Sequence, residues 1–120
     1  MSRLLVHIAT GPENATRATL GLLVARTALA AGHEVDLFLA GDAVGLLRPT
    51  TLDAATGIGT GSAREHVDAL AAGGARFFAS GKSSQARSLG PDGVGGLAVE
   101  FAPPDVLVRL TFEADRVLTY

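Results

Sequence analysis

The chain has 120 residues, 48% of them hydrophobic, with 10 basic and 12 acidic side chains and a formal net charge of −2. This fits a single domain over 1–120 and supplies neither a basic stripe for nucleic acid nor a polybasic arm for a membrane surface. Cysteine is absent, which excludes disulfides, thiolate metal sites and thiol nucleophiles together.

The three histidines, His7, His33 and His66, do not form an H-x₃-H pair, so no metal or other cofactor is expected. The longest apolar stretch, 20–31, is interrupted by Arg26 and falls far short of a membrane span. Met1, Ser2 and Arg3 lead directly into a strand, leaving no room for a cleavable signal. A cytoplasmic location is the expectation.

Residues 4–9 (L-L-V-H-I-A) are a near-continuous apolar run, as in a parallel strand covered on both faces. His7 within it reads as a hydrogen-bonded core histidine. Pro12 and Glu13 suit a helix start, and 15–31 is a long helix with Leu20, Leu23, Val24 and Ala28 at helical spacing, closed by Gly32. Residues 33–40 form a second strand with Val35, Leu37 and Leu39 on one face, and Asp42 is placed to cap a short helix over 43–47. Residues 49–61 show no sustained periodicity and read as a mobile loop. Ser62 to Glu65 fits a capping box opening a helix that stops at Gly73.

A third strand, 76–79, then feeds a polar turn and a short helix. A turn-rich connection over 89–96 precedes a fourth strand in which Leu97, Val99 and Phe101 alternate. The last helix starts at Pro103-Pro104-Asp105 and runs to about 114, and 116–120 is a fifth strand. Strands alternating with helices across short links imply a three-layer α/β/α domain around a five-stranded parallel sheet.

The turn after the third strand gathers the chemistry: Ser80, Gly81, Lys82, Ser83, Ser84 and, further on, Arg87. Ligands of open α/β sheets sit outside the carboxyl ends of strands, and a helix start favours anions. Lys82, the only lysine, must lie in the turn before regular helix if it is to converge with Arg87. Glu100, near the end of the fourth strand, is placed to face the same edge. The bland alternatives are a capped, solvated turn and an exposed strand carboxylate.

Gly81-Lys82-Ser83 matches only the end of a P-loop, because the first glycine position holds Arg76. The glycines of 57–61 follow no strand, which rejects a dinucleotide fingerprint. No G-x-S-x-G elbow is present, and no spacing links Ser83 to His66 and an acid.

Taken with the opening strand-loop-helix, the stretch A-G-H-E-V-D-L-F-L-A-G-D-A-V at 31–44 and the closing E-A-D-R-V-L-T-Y at 113–120, the chain resembles the DsrE/DsrF-like family of sulfur-relay and sulfur-oxidation proteins. The resemblance implies a five-stranded parallel sheet and oligomers, commonly trimers or hexamers. It also implies, in sulfur-carrying members, a persulfide-bearing cysteine after the third strand. Some members look like C-x-x-C-x₃-R-G there. Laid on this chain, Arg87 takes the arginine position, Ser80 and Ser83 stand at the cysteines, and Ser88 replaces the glycine. A serine hydroxyl is no sulfur carrier near neutral pH.

The leading expectation is therefore a homo-oligomer that binds a small anion or a protein partner at 80–87 and carries no sulfur. Two alternatives stand beside it: an enzyme using Glu100 or His66 with the loop hydroxyls, and a structural subunit assembling with cysteine-bearing relatives.

Overall fold

A computed structural model describes residues 2–120. β1 (Arg3–Ile8) leads through a 3₁₀ turn, Pro12–Asn14, into α1 (Ala15–Ala30). β2 (Glu34–Leu39) is followed by a 3₁₀ helix, Gly41–Leu47, then α2 (Pro49–Ala54) and the small strands β3 (Thr56–Gly57) and β4 (Gly61–Ser62). α3 (Ala63–Ala72), β5 (Arg76–Ser80), α4 (Gly81–Ala86), β6 (Val99–Ala102), α5 (Pro104–Glu113) and β7 (Arg116–Thr119) complete the chain. The main sheet has five strands in the order β6-β5-β2-β1-β7, and every neighbouring pair is parallel. The three-layer expectation holds. Among the described residues, no helix is long and apolar enough to cross a membrane.

Strand alternation divides the core into two. On one face Val6, Ile8, Leu37, Leu39, Phe77 and Ala79 pack with α1 and α3. On the other, Leu5, Phe38 and Phe78 pack with Leu110, Leu107 and Val106 of α5 alone.

α1 turns a different face inward from the one its large residues suggest. Ala18, Thr19, Gly21, Leu22 and Ala25 are buried, whereas Leu20 is exposed. The small residues let the helix lie close to the sheet: a Cβ on Gly21 would crowd Ile8 and the Tyr120 ring at 3.1 Å. Close packing overrides side-chain size here.

The 49–61 segment is not structureless. Pro49 starts α2, and β3 pairs β4 through Thr56–Ser62 and Gly57–Gly61. So short a ladder needs other support, and threonines of α1 supply it. Thr19 and Thr60 hydroxyls meet at 2.6 Å, and the Ile58 N–H donates to Thr16 Oγ1 at 3.0 Å. Asp42 is also not a cap: it lies inside the 3₁₀ helix that begins at Gly41, with no side-chain capping bond.

At the amino end of the sheet the α5-side face carries a charge inside the fold. Asp36 on β2 is 1% exposed. Arg76 on β5 donates to it from Nε at 2.7 Å and Nη2 at 2.8 Å, and Arg3 on β1 from Nη1 at 3.1 Å. The hydrogen bonds to Asp36 push the Arg76 guanidinium above its ordinary value. A buried carboxylate stripped of its partner is costly, while an orphaned arginine at the surface returns to water. Arg76→Met is therefore expected to lower stability by about 2–3 kcal/mol, because Arg3 still contacts the carboxylate. Asp36→Asn should cost less. Urea denaturation of both variants checks the order, and equal losses would contradict it.

Candidate functional site

The serine-rich segment sits where β5 ends, beside the exit of its neighbour β2. Ser80 closes β5 and caps α4, its Oγ accepting from the Ser83 N–H at 3.2 Å. Ser83 Oγ in turn accepts from the Gly41 N–H at 2.9 Å, joining α4 to the link after β2. Gly41 has φ +56°, a left-handed conformation that glycine adopts at low cost.

Arg87 is engaged within the protein. Its Nη1 donates to the Ser83 carbonyl at 3.0 Å and its Nη2 to Asp42 Oδ1 at 2.9 Å. The Arg48 guanidinium donates to the Arg87 carbonyl. α4 ends in a Schellman motif: the Leu89 N–H reaches the Ser84 carbonyl at 2.9 Å and the Ser88 N–H reaches the Gln85 carbonyl at 3.1 Å. Leu89 buries its side chain in the main core.

Ser83 and Arg87 thus meet through the Ser83 carbonyl, and Ser80 reaches Ser83. Gly81 starts α4 against the Ala102 carbonyl of β6. Lys82 is not in a turn before the helix, as convergence with Arg87 required: it is the second residue of α4. It is exposed and forms no ion pair among the described residues. Ser84 is buried, and its Oγ has no hydrogen-bond partner among the described residues. The cluster therefore offers one free cation, not two.

Glu100 does not join it. The residue pairs with Phe78, one step before the Ala79–Phe101 and Ser80–Ala102 pairs that end the ladder. It lines a groove of about 450 Å³ with Arg76 and Arg109 on the α5-side face. His66 is elsewhere again, buried on α3, with Nε2 at 2.7 Å from the Thr60 carbonyl and Nδ1 at 3.4 Å from Arg26 Nη1. A carbonyl accepts only from a protonated nitrogen, so Nε2 donates to Thr60 and His66 serves to hold the β3–β4 hairpin. His7 is not hydrogen-bonded as expected: its Nε2 is buried without a partner among the described residues, and its ring packs edge-on to Phe38. Burial lowers its pKa below the ordinary histidine value.

Sequence reasoning missed Asp42 and Gly41 as members of the site, because nothing local marks a residue that acts by lying beside another strand's loop. It also missed the Asp36 pair, although a carboxylate flanked by Val35 and Leu37 inside a buried strand signals a buried partner.

The DsrE/DsrF-like family profile matches residues 2–120. The chain belongs to the DsrE/DsrF-like family. Among solved structures, the ychN protein from E. coli superposes with a TM-score of 0.82 at 20% identity, covering 100% of both chains. Protein MTH1491 from Methanobacterium thermoautotrophicum, described as of unknown function, gives 0.77 at 20% identity, again over 100% of both chains. BT1422 from Bacteroides thetaiotaomicron, described as a conserved protein of unknown function, gives 0.72 at 10% identity over 99% of this chain and 95% of that one. No curated protein matches the sequence. These likenesses establish the DsrE-like fold.

Ser88 carries a physical cost. Among the described residues it is the one non-glycine with positive φ, +55°, and it holds the C′ position of α4, where glycine is favoured. A left-handed non-glycine residue costs about 1–2 kcal/mol, part of which glycine loses again to unfolded-state entropy. Ser88→Gly is expected to raise stability by about 0.5–1 kcal/mol. Thermal denaturation checks it, and a lowered midpoint would show that the serine side chain contributes a contact of its own.

Proposed function

We propose that this chain is a cysteine-free, oligomeric DsrE-like protein that works by binding, with the segment 80–87 as its recognition surface. The group recognised is anionic, a carboxylate or phosphate on a small ligand or on a partner's segment, and Lys82 is the residue that meets it. The observation that carries the reading is the contrast between the two cations. Arg87 is neutralised by Asp42 and spent on shape, whereas Lys82 projects from a short helix fixed at both ends and pairs with no carboxylate among the described residues.

The same observations argue against sulfur carriage. Ser80 and Ser83 use their hydroxyl oxygens as acceptors inside the segment. A hydroxyl ionises far above neutral pH, and no base lies within hydrogen-bond distance of either one among the described residues. Incubation with a persulfide donor followed by intact-mass measurement is expected to show no added sulfur. A reducible adduct of one sulfur atom would overturn this.

Binding has its own test. In an amide NMR titration with phosphate, sulfate and acetate, shifts are expected to concentrate at 80–84. Lys82→Ala should weaken the response about three- to tenfold, the scale of one exposed charge-assisted contact. Arg87→Ala should instead broaden the segment's resonances by freeing α4 from Asp42. Unshifted amides in the wild type would reduce the segment to a cap.

A further inference from the structure

We infer that the outer face of α5 is the contact surface for a second copy of this chain, packed across a two-fold axis. The inference deepens the oligomeric reading by assigning the surface through which copies meet. It starts from an imbalance between the layers. One face of the sheet is covered by α1 and α3, the other by α5 alone.

α5 is apolar on both sides. Leu107, Leu110 and Ala114 face the sheet, while Phe112 is 86% exposed and Val108 55% exposed. Four residues apart, these two lie one above the other on a single stripe. Two large apolar side chains stacked in solvent on one helix face form a patch of the kind that marks a contact surface. Beside α5, Val117 on β7 pairs with Leu5 on the same sheet face, and it is exposed because the helix does not extend over it. The uncovered surface thus continues from helix to sheet edge.

Charge says what covers it. Next to the stripe, Arg109 and Glu113 form a half-exposed pair, Nη1 to Oε2 at 3.3 Å. They stand one helical turn apart, one positive and one negative. A two-fold axis through the Val108–Phe112 stripe sets the helices antiparallel, which brings Arg109 of each copy to Glu113 of the other. A partner of one charge sign would meet a like charge at one end of the stripe; a second copy meets none.

Sedimentation equilibrium on the full chain tests this. Wild type is expected to associate, and Phe112→Glu to lose that association while circular dichroism stays unchanged, since the residue is solvent-facing. Arg109→Glu and Glu113→Arg alone should each weaken association about tenfold or more through like-charge contact. An equimolar mixture of the two should recover it, because the acidic variant then faces the basic one; repair of a contact within one chain cannot produce this recovery. Wild-type assembly that survives Phe112→Glu, or a mixture no tighter than either variant alone, overturns the α5 surface and leaves the oligomeric reading standing. A single-chain mass for wild type at all concentrations overturns both.

Discussion

Parallel pairing is the constraint on which the rest of this structure depends. Parallel strands cannot be joined by tight hairpins, so the chain recrosses the sheet after each one and all carboxyl ends gather on one side. β2 and β5 are neighbours, with Leu39 opposite Ala79. The links that follow them therefore leave the sheet side by side. That adjacency, and nothing in the local sequence, sets the Gly41 N–H against Ser83 Oγ and the Asp42 carboxylate against Arg87. Shifting β5 by one residue would exchange its two faces and dissolve both contacts.

Register is guarded at the other end of the sheet. Arg3, Asp36 and Arg76 come from β1, β2 and β5, so the buried carboxylate reads the alignment of three adjacent strands together. Buried ion pairs are poor sources of net stability, because desolvation offsets their attraction, but an alignment that leaves such a charge unpaired is strongly disfavoured. The amino edge thus specifies the register on which the serine segment at the carboxyl edge relies. The two ends are coupled through the rigid strands, although no side chain connects them.

The sequence made the sheet legible because its strands are short apolar runs separated by helices with recognisable ends. The capped turn at Ser80 and the short helix after it were visible for the same reason: Ser80 and Ser83 carry local capping chemistry. What stayed hidden was of two kinds. One is the choice among several apolar faces: α1 has large residues around most of its circumference, and only the neighbouring sheet decides that Ala18, Gly21 and Ala25 go inward. The other is contact between residues distant in sequence. Thr19 and Thr60 hold a hairpin that has almost no ladder of its own, and Asp42 neutralises an arginine 45 residues away. Periodicity carries no trace of either. Glu100 shows the converse error: strand position was read correctly, but its height above the carboxyl edge was not.

The two surfaces proposed for this protein are compatible because of the direction in which α5 runs. The helix begins just after β6, next to the contact between the Ala102 carbonyl and Gly81, and so starts beside the serine segment. It then returns antiparallel to the strands to reach the start of β7. From Pro104 to Phe112 the rise is about 12 Å at 1.5 Å per residue. Phe112 therefore lies toward the amino edge of the sheet, beyond Arg109, which shares a groove with Arg76. A second copy seated on that stripe leaves Lys82 at the opposite end of the molecule, open to solvent. The proposed assembly and the proposed recognition then draw on separate residues: an apolar stripe with a self-complementary charge pair for one, and a lone ammonium on a braced helix for the other. The Ser80 and Ser83 oxygens serve that second role indirectly: they brace the helix that presents Lys82.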